Sequence, residues 1–176
     1  MRKVSLFTAM SLDGYIADSE GGVNWLRGQG DDSENIDSYS EFVKDIDTIL
    51  MGRNTYHQLI TELSPNVWVY EDFITYVITH KEDISSEKII FANKNPGDLI
   101  KKLKKENGKG IWVCGGANIV QQLVNENLID IYYITVIPTI LGSGIRLFEN
   151  GKDEIKLKLI NTQAYNGMID LVYTRR

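Results

Sequence analysis

The sequence predicts an α/β fold: a mostly parallel sheet with an antiparallel C-terminal extension. Two observations carry this expectation. Over the first two-thirds of the chain, short runs rich in β-branched and aromatic residues alternate with segments of helical periodicity. Over the last third the runs are strand-like, and two of them alternate in the way that suits antiparallel pairing. A third observation says where chemistry belongs. Two strand-like runs end in glycine and pass at once into helices, and open parallel sheets bind ligands beyond the carboxyl ends of their strands.

The elements follow in order. Val4 to Met10 is a short apolar run with β character and reads as a buried strand. Ser11-Leu12-Asp13-Gly14 turns the chain, and Tyr15-Ile16-Ala17 continues it. Gly21, Gly22, Gly28 and Gly30, with Asp31, Asp32 and Ser33, mark a long loop. Ile36, Tyr39, Phe42, Val43 and Ile46 recur at helical spacing, which predicts an amphipathic helix of roughly ten residues. Thr48 to Met51 is a second strand ending at Gly52, and Arg53 to Leu63 reads as helical. Thr75 to Thr79 is a third strand and Lys88 to Phe91 a fourth. Pro96 stands where proline opens a helix, with Leu99, Ile100 and Leu103 as its apolar stripe. Gly110 to Cys114 is a fifth strand, stopped by Gly115-Gly116. Ala117 to Asn127 follows as a helix with Ile119, Val120, Leu123 and Val124 on one face. Ile129 to Ile137 is a long apolar strand ending at Pro138. Ile155 to Ile160 and Met168 to Tyr173 complete the chain as an antiparallel pair.

Composition narrows the function classes. A chain of 176 residues suits one domain, 1–176, and neither a linker nor an internal repeat interrupts it. The net charge of −5 argues against nucleic acid as a partner, which would need a basic surface. Lys101, Lys102, Lys104 and Lys105 therefore read as a solvated helix face. One cysteine, Cys114, and two histidines, His57 and His80, exclude a disulfide framework and a histidine-rich metal site. No apolar run approaches the ~18 residues of a membrane span, and the apolar start is too short for a signal peptide. A cytoplasmic protein with no membrane partner is expected.

Three places can carry chemistry. At Met51-Gly52-Arg53-Asn54-Thr55 a glycine lets a ligand approach the backbone. The helix that follows presents free N–H groups, and Arg53 adds a permanently charged fork of donors. The plain alternative is an ordinary helix start with a surface arginine. At Val113-Cys114-Gly115-Gly116-Ala117-Asn118 the paired glycines make a second nest of donors suited to a pyrophosphate. The alternative there is a tight turn. At Ala9 to Ala17, Asp13 is a carboxylate in an apolar stretch, and an Asp before Gly is more often a turn former than a catalytic acid. Standard nucleotide fingerprints are absent, since Gly142-Ser143-Gly144 lacks a third glycine and Gly108-Lys109-Gly110 lacks P-loop spacing.

Taken in order, the motifs resemble the dihydrofolate reductase-like superfamily. They are closest to the C-terminal reductase domain of the bifunctional riboflavin-biosynthesis deaminase–reductase and its stand-alone relatives. The residues that carry the resemblance are Ser11-Leu12-Asp13-Gly14-Tyr15-Ile16-Ala17, Met51-Gly52-Arg53-Asn54-Thr55-Tyr56, Trp112-Val113-Cys114-Gly115-Gly116-Ala117, and Ile137 to Phe148. They extend it from about Val4 to Tyr173.

The resemblance implies a three-layer fold with a central sheet of about eight strands, helices on both faces and NADPH as cofactor. It implies that Ala9 and Ile16 face the nicotinamide, and that Gly52, Arg53 and Thr55 bind cofactor phosphates. It sets Thr79, His80 and Lys81 near the adenosine and its 2′-phosphate. Gly115, Gly116, Ala117, Asn118 and Ile119 match the pyrophosphate turn. It offers Asp13 as the group that orients or protonates a small cyclic or imine-like substrate, with Asp37 second, and it implies a homodimer. One departure stands out: the riboflavin reductases carry a glutamate before the Gly-Gly turn, where this chain has Cys114. The resemblance leaves two alternatives open, dihydrofolate reductase itself and a non-catalytic nucleotide-binding or dimerising module.

Overall fold

The computed structural model describes residues 1–81, 83–149 and 153–176. Its centre is an eight-stranded sheet in the order β5-β4-β3-β6-β1-β7-β10-β9. The strands are β1 (Val4–Ser11), β3 (Ile46–Gly52), β4 (Ile74–Ile78), β5 (Ile89–Ala92), β6 (Gly110–Gly115), β7 (Ile131–Ile137), β9 (Leu157–Tyr165) and β10 (Met168–Arg175). The pairs from β5 through to β7 are parallel, whereas β7–β10 and β10–β9 are antiparallel. Two short strands, β2 (Tyr15–Ala17) and β8 (Ile145–Arg146), pair separately.

Strand alternation sorts the apolar residues into two cores, because successive side chains leave a strand on opposite faces. Val4 and Leu6 of β1, Leu50 of β3, and Ile111 and Val113 of β6 point to one face. There they meet Leu99, Ile100 and Leu103 of α3 (Pro96–Leu103), and Ile119, Val120 and Leu123 of α4 (Ala117–Asn125). Ile49 and Met51 of β3 and Trp112 of β6 point the other way. They meet Phe42 of α1 (Ser38–Val43) and Leu59, just beyond α2 (Arg53–Gln58). Helices thus cover both faces, in the three layers expected. The start of α3 is built as its sequence predicts: Pro96 opens it and the Asn95 side chain accepts from the Asp98 N–H at 3.1 Å.

Several local expectations need correction. The helix expected around Ile36 to Ile46 is only the six residues of α1. Ile46 belongs to β3 instead, where it pairs with Gly110 while the Gly110 N–H donates to the Asp45 carbonyl. Sheet pairing there outweighs helical periodicity. Arg53 to Leu63 is helical as expected, with a wider π turn, Leu59–Leu63, after Gln58, where the Ser64 N–H reaches back to the Leu59 carbonyl. Tyr15–Ala17 leaves the main sheet, because Gly14 turns the backbone at φ +87° and the strand is taken up by β8.

Candidate functional site

The carboxyl ends of β1, β3, β4 and β6 open onto a cavity of about 1260 Å³. Ala9 of β1 and Ile16 of β2 line one end. Gly52, Arg53 and Thr55 line it at the β3–α2 junction, and Gly115, Gly116, Ala117, Asn118 and Ile119 at the β6–α4 junction. Thr79 and His80, just past β4, lie on the same cavity. The residues that sequence resemblance implied for a cofactor therefore line one cavity, although they span the chain from 9 to 119. Lys81 is the exception and does not line it.

The two glycine junctions touch because β3 and β6 are neighbours, with Met51 opposite Gly115. A Cβ on Gly52 would sit 3.4 Å from Ile119 Cγ1, and one on Gly116 would sit 3.3 Å from Thr55 Oγ1. The paired turns thus form a trough that side chains would fill. Gly115 has φ +132°, where a side chain is strained, and the Gly115–Gly116 peptide is cis.

The helices entering this trough differ from the others at their first turns. The Asp37 carboxylate caps α1 and the Asn95 side chain caps α3. Neither Gly52 nor Gly116 gives α2 or α4 a side-chain cap, and neither first turn carries an acidic residue. The leading N–H groups of two adjacent helices are left for an outside acceptor, with the positive ends of both dipoles beside them.

One flank of the trough is polar. Arg53 Nη1 donates to Asp83 Oδ2 at 2.9 Å. Thr79 is buried, and its hydroxyl accepts from the Lys81 N–H at 3.0 Å. His80 Nδ1 lies 2.9 Å from Asn93 Oδ1, and Lys94 lines the cavity nearby.

Cys114 and Tyr70 line the cavity as an uncharged pair. Burial pushes the Cys114 thiol up to about 12. Burial likewise raises the Tyr70 phenol well above its ordinary value, and the adjacent Cys114 thiol contributes. Both groups stay protonated at neutral pH. Tyr70 is fixed by aromatic neighbours, with ring centroids 5.4 Å from Trp68 and 5.2 Å from Trp112. Sequence reading missed Tyr70, which lies in an aperiodic loop with no motif to mark it. It found Cys114 only as a departure from the expected glutamate.

The two carboxylates expected to do catalysis lie elsewhere. Asp13 does not line the cavity. Its oxygens accept from the Ser11 hydroxyl at 2.6 Å and from the N–H groups of Gly142 and Leu141 at 2.8 and 3.1 Å. The Ser11 hydroxyl and these backbone donors hold its carboxyl at about 2, so it is a poor proton donor at neutral pH. Its position suits fastening the β1–β2 turn to the 139–142 loop. Asp37 spends its carboxylate on capping α1, accepting from the Ser40 N–H at 2.9 Å. It lines a separate cavity of about 680 Å³.

A model of the RibD C-terminal domain matches residues 2–169. The chain belongs to the RibD C-terminal domain family. YwjB, an uncharacterised protein of Bacillus subtilis (strain 168), is 39% identical over 99% of this chain and 98% of its own. Among solved structures, a protein of Shewanella sp. PV-4 superposes with TM-score 0.85 at 25% identity over 99% of each chain. Two more distant neighbours share the fold. One is the Thermotoga maritima diaminohydroxyphosphoribosylaminopyrimidine deaminase/5-amino-6-(5-phosphoribosylamino)uracil reductase, with TM-score 0.70 and 15% identity over 99% of this chain and 57% of that one. The other is dihydrofolate reductase from Enterococcus faecalis complexed with NADP(H), with TM-score 0.69 and 17% identity over 99% of this chain and 96% of that one. This RibD C-terminal domain thus has a dihydrofolate reductase-like fold. No helix among its described residues is long and apolar enough to cross a membrane.

Proposed function

We propose that this chain is an NADPH-dependent reductase that passes a hydride to a small cyclic or imine-like substrate, a reaction similar to that of the riboflavin-pathway uracil reductase. The observation that carries this reading is the pair of uncapped helix starts meeting across Gly52 and Gly116. Two adjacent anion nests in one trough suit a dinucleotide, whose phosphates are joined. The family membership and the NADP(H) in a neighbour of the same fold support the cofactor.

In this reading Gly115 to Ile119 hold the pyrophosphate, and Gly52, Arg53 and Thr55 hold further cofactor phosphate. Thr79 and His80 face the adenosine side, and Ala9 and Ile16 face the nicotinamide. When bound, NADPH supplies the hydride; the chain supplies position and exclusion of water. Tyr70 and Cys114 give the inner wall a neutral surface. Asp13 serves as a positioning residue, tying the turn that leads to Ile16 to the 139–142 loop. Dihydrofolate reduction has less support, because Asp37 spends its carboxylate on capping α1 and lines a different cavity. The chain is proposed to work as a cytoplasmic homodimer on a small molecule, without nucleic acid.

Thermal unfolding with NADPH, with NADH and without ligand tests the reading. A ligand at a hundred times its Kd stabilises the fold by ~2.7 kcal/mol, enough to raise Tm by several degrees. A rise with NADPH is expected. No rise with either dinucleotide at millimolar concentration would overturn the proposal.

A further inference from the structure

Arg53 lines the cavity, and Asp83, which does not itself line it, reaches it through Arg53; this ion pair bears on which dinucleotide enters. β4 lies beside β3, with Gly52 opposite Ile78, so the chain leaving β4 passes the Arg53 junction at once. The Thr79 hydroxyl accepts from the Lys81 N–H, and Asp83 Oδ1 accepts from the Ile84 N–H at 3.0 Å. Arg53 Nη1 donates to Asp83 Oδ2 at 2.9 Å. About a third of each side chain is exposed, 32% for Arg53 and 36% for Asp83, so the pair is open to exchange with a ligand. The Arg53 guanidinium also holds the Asp83 carboxyl below its ordinary value, so it is an anion throughout the physiological range.

We propose that Asp83 is a specificity-determining residue that holds Arg53 and biases the site against the 2′-phosphate of the cofactor. The proposal rests on the reading of the cavity as a dinucleotide site. A 2′-phosphate is a dianion that seeks the same guanidinium fork, and Arg binds phosphate best when both arms are available. It must therefore displace Asp83 or share Arg53 with it against like-charge repulsion. A ribose that keeps its 2′-hydroxyl meets the opposite situation: a carboxylate accepts a hydrogen bond from it, as an acidic residue does in other dinucleotide-binding folds. One side chain thus weakens the phosphorylated cofactor and helps the unphosphorylated one.

Calorimetric titration of the full chain with NADPH and with NADH tests this, using wild type, Asp83→Asn and Arg53→Ala. Asparagine keeps the oxygen that accepts from Ile84 and removes the charge at an exposed position. Asp83→Asn is expected to tighten NADPH about two- to fivefold, the upper part of the range for releasing an exposed ion pair, and to leave NADH unchanged or weaker. Arg53→Ala is expected to lower the preference for NADPH over NADH. An Asp83→Asn preference ratio within twofold of wild type, or one moved toward NADH, would overturn the role of Asp83. That failure is distinct from failure of the cavity reading, in which wild type binds neither dinucleotide and this inference falls with it.

Discussion

Asp13 shows how one residue type at one place supports two readings. A carboxylate between Leu12 and Gly14 reads first as a turn former, and the family resemblance adds a role toward substrate. The hydroxyl of Ser11 and two backbone N–H groups decide between them. Its pKa is lowered from 3.8 to about 2, so the ionised form favours the folded state. That contribution is complete above about pH 4 and is lost as pH falls through the folded value. Asp13→Asn removes the charge at every pH. The Tm of the variant should therefore fall below wild type at neutral pH, and the gap should close as pH falls from 4 toward 2. A gap independent of pH in thermal melts would show that the charge of Asp13 does not fasten the loop.

At the scale of elements, the strand-to-helix junctions were legible because two demands coincide in them. Gly52 and Gly115-Gly116 end runs of β-branched residues and begin apolar stripes of helical period, so pattern and punctuation agree. Where only one signal was present, it misled. The stripe from Ile36 to Ile46 has helical spacing but no stop signal before Ile46, and pairing with Gly110 claimed its end. Tyr70 and Asp83 were not legible, since each sits in a loop and gains its meaning from a distant strand end. Gly52 offers a test that separates fold from site. Its φ of −83° and ψ of 161° suit any residue, and an added Cβ finds Ile119 Cγ1 at an ordinary 3.4 Å. Gly52→Ala should keep a Tm near wild type. It should weaken NADPH roughly tenfold or more in a fluorescence titration, because the methyl occupies the trough between the nests. Unchanged affinity would place the phosphates elsewhere.

The whole molecule ends its sheet in an edge. β9 pairs with β10 on one side only, and the hairpin exposes Leu159, Ile160 and Ile169. Exposed apolar residues beside an open edge suit a second copy of the chain. Sedimentation of wild type should give a dimer, and Ile160→Lys should shift it toward monomer; a wild-type monomer at micromolar concentration would refute the dimer. The opposite end of the chain has a consequence for how the protein comes into being. β1 is central and its Val4 and Leu6 are fully buried, yet it borders only β6 and β7. During synthesis this first strand must wait, greasy and unmatched, until residue 110 and beyond have left the ribosome. β6 then slots between β1 and β3 and brings the Gly115 turn with it. The same insertion that closes the sheet creates the trough, so the trough exists only in a chain whose centre has already closed.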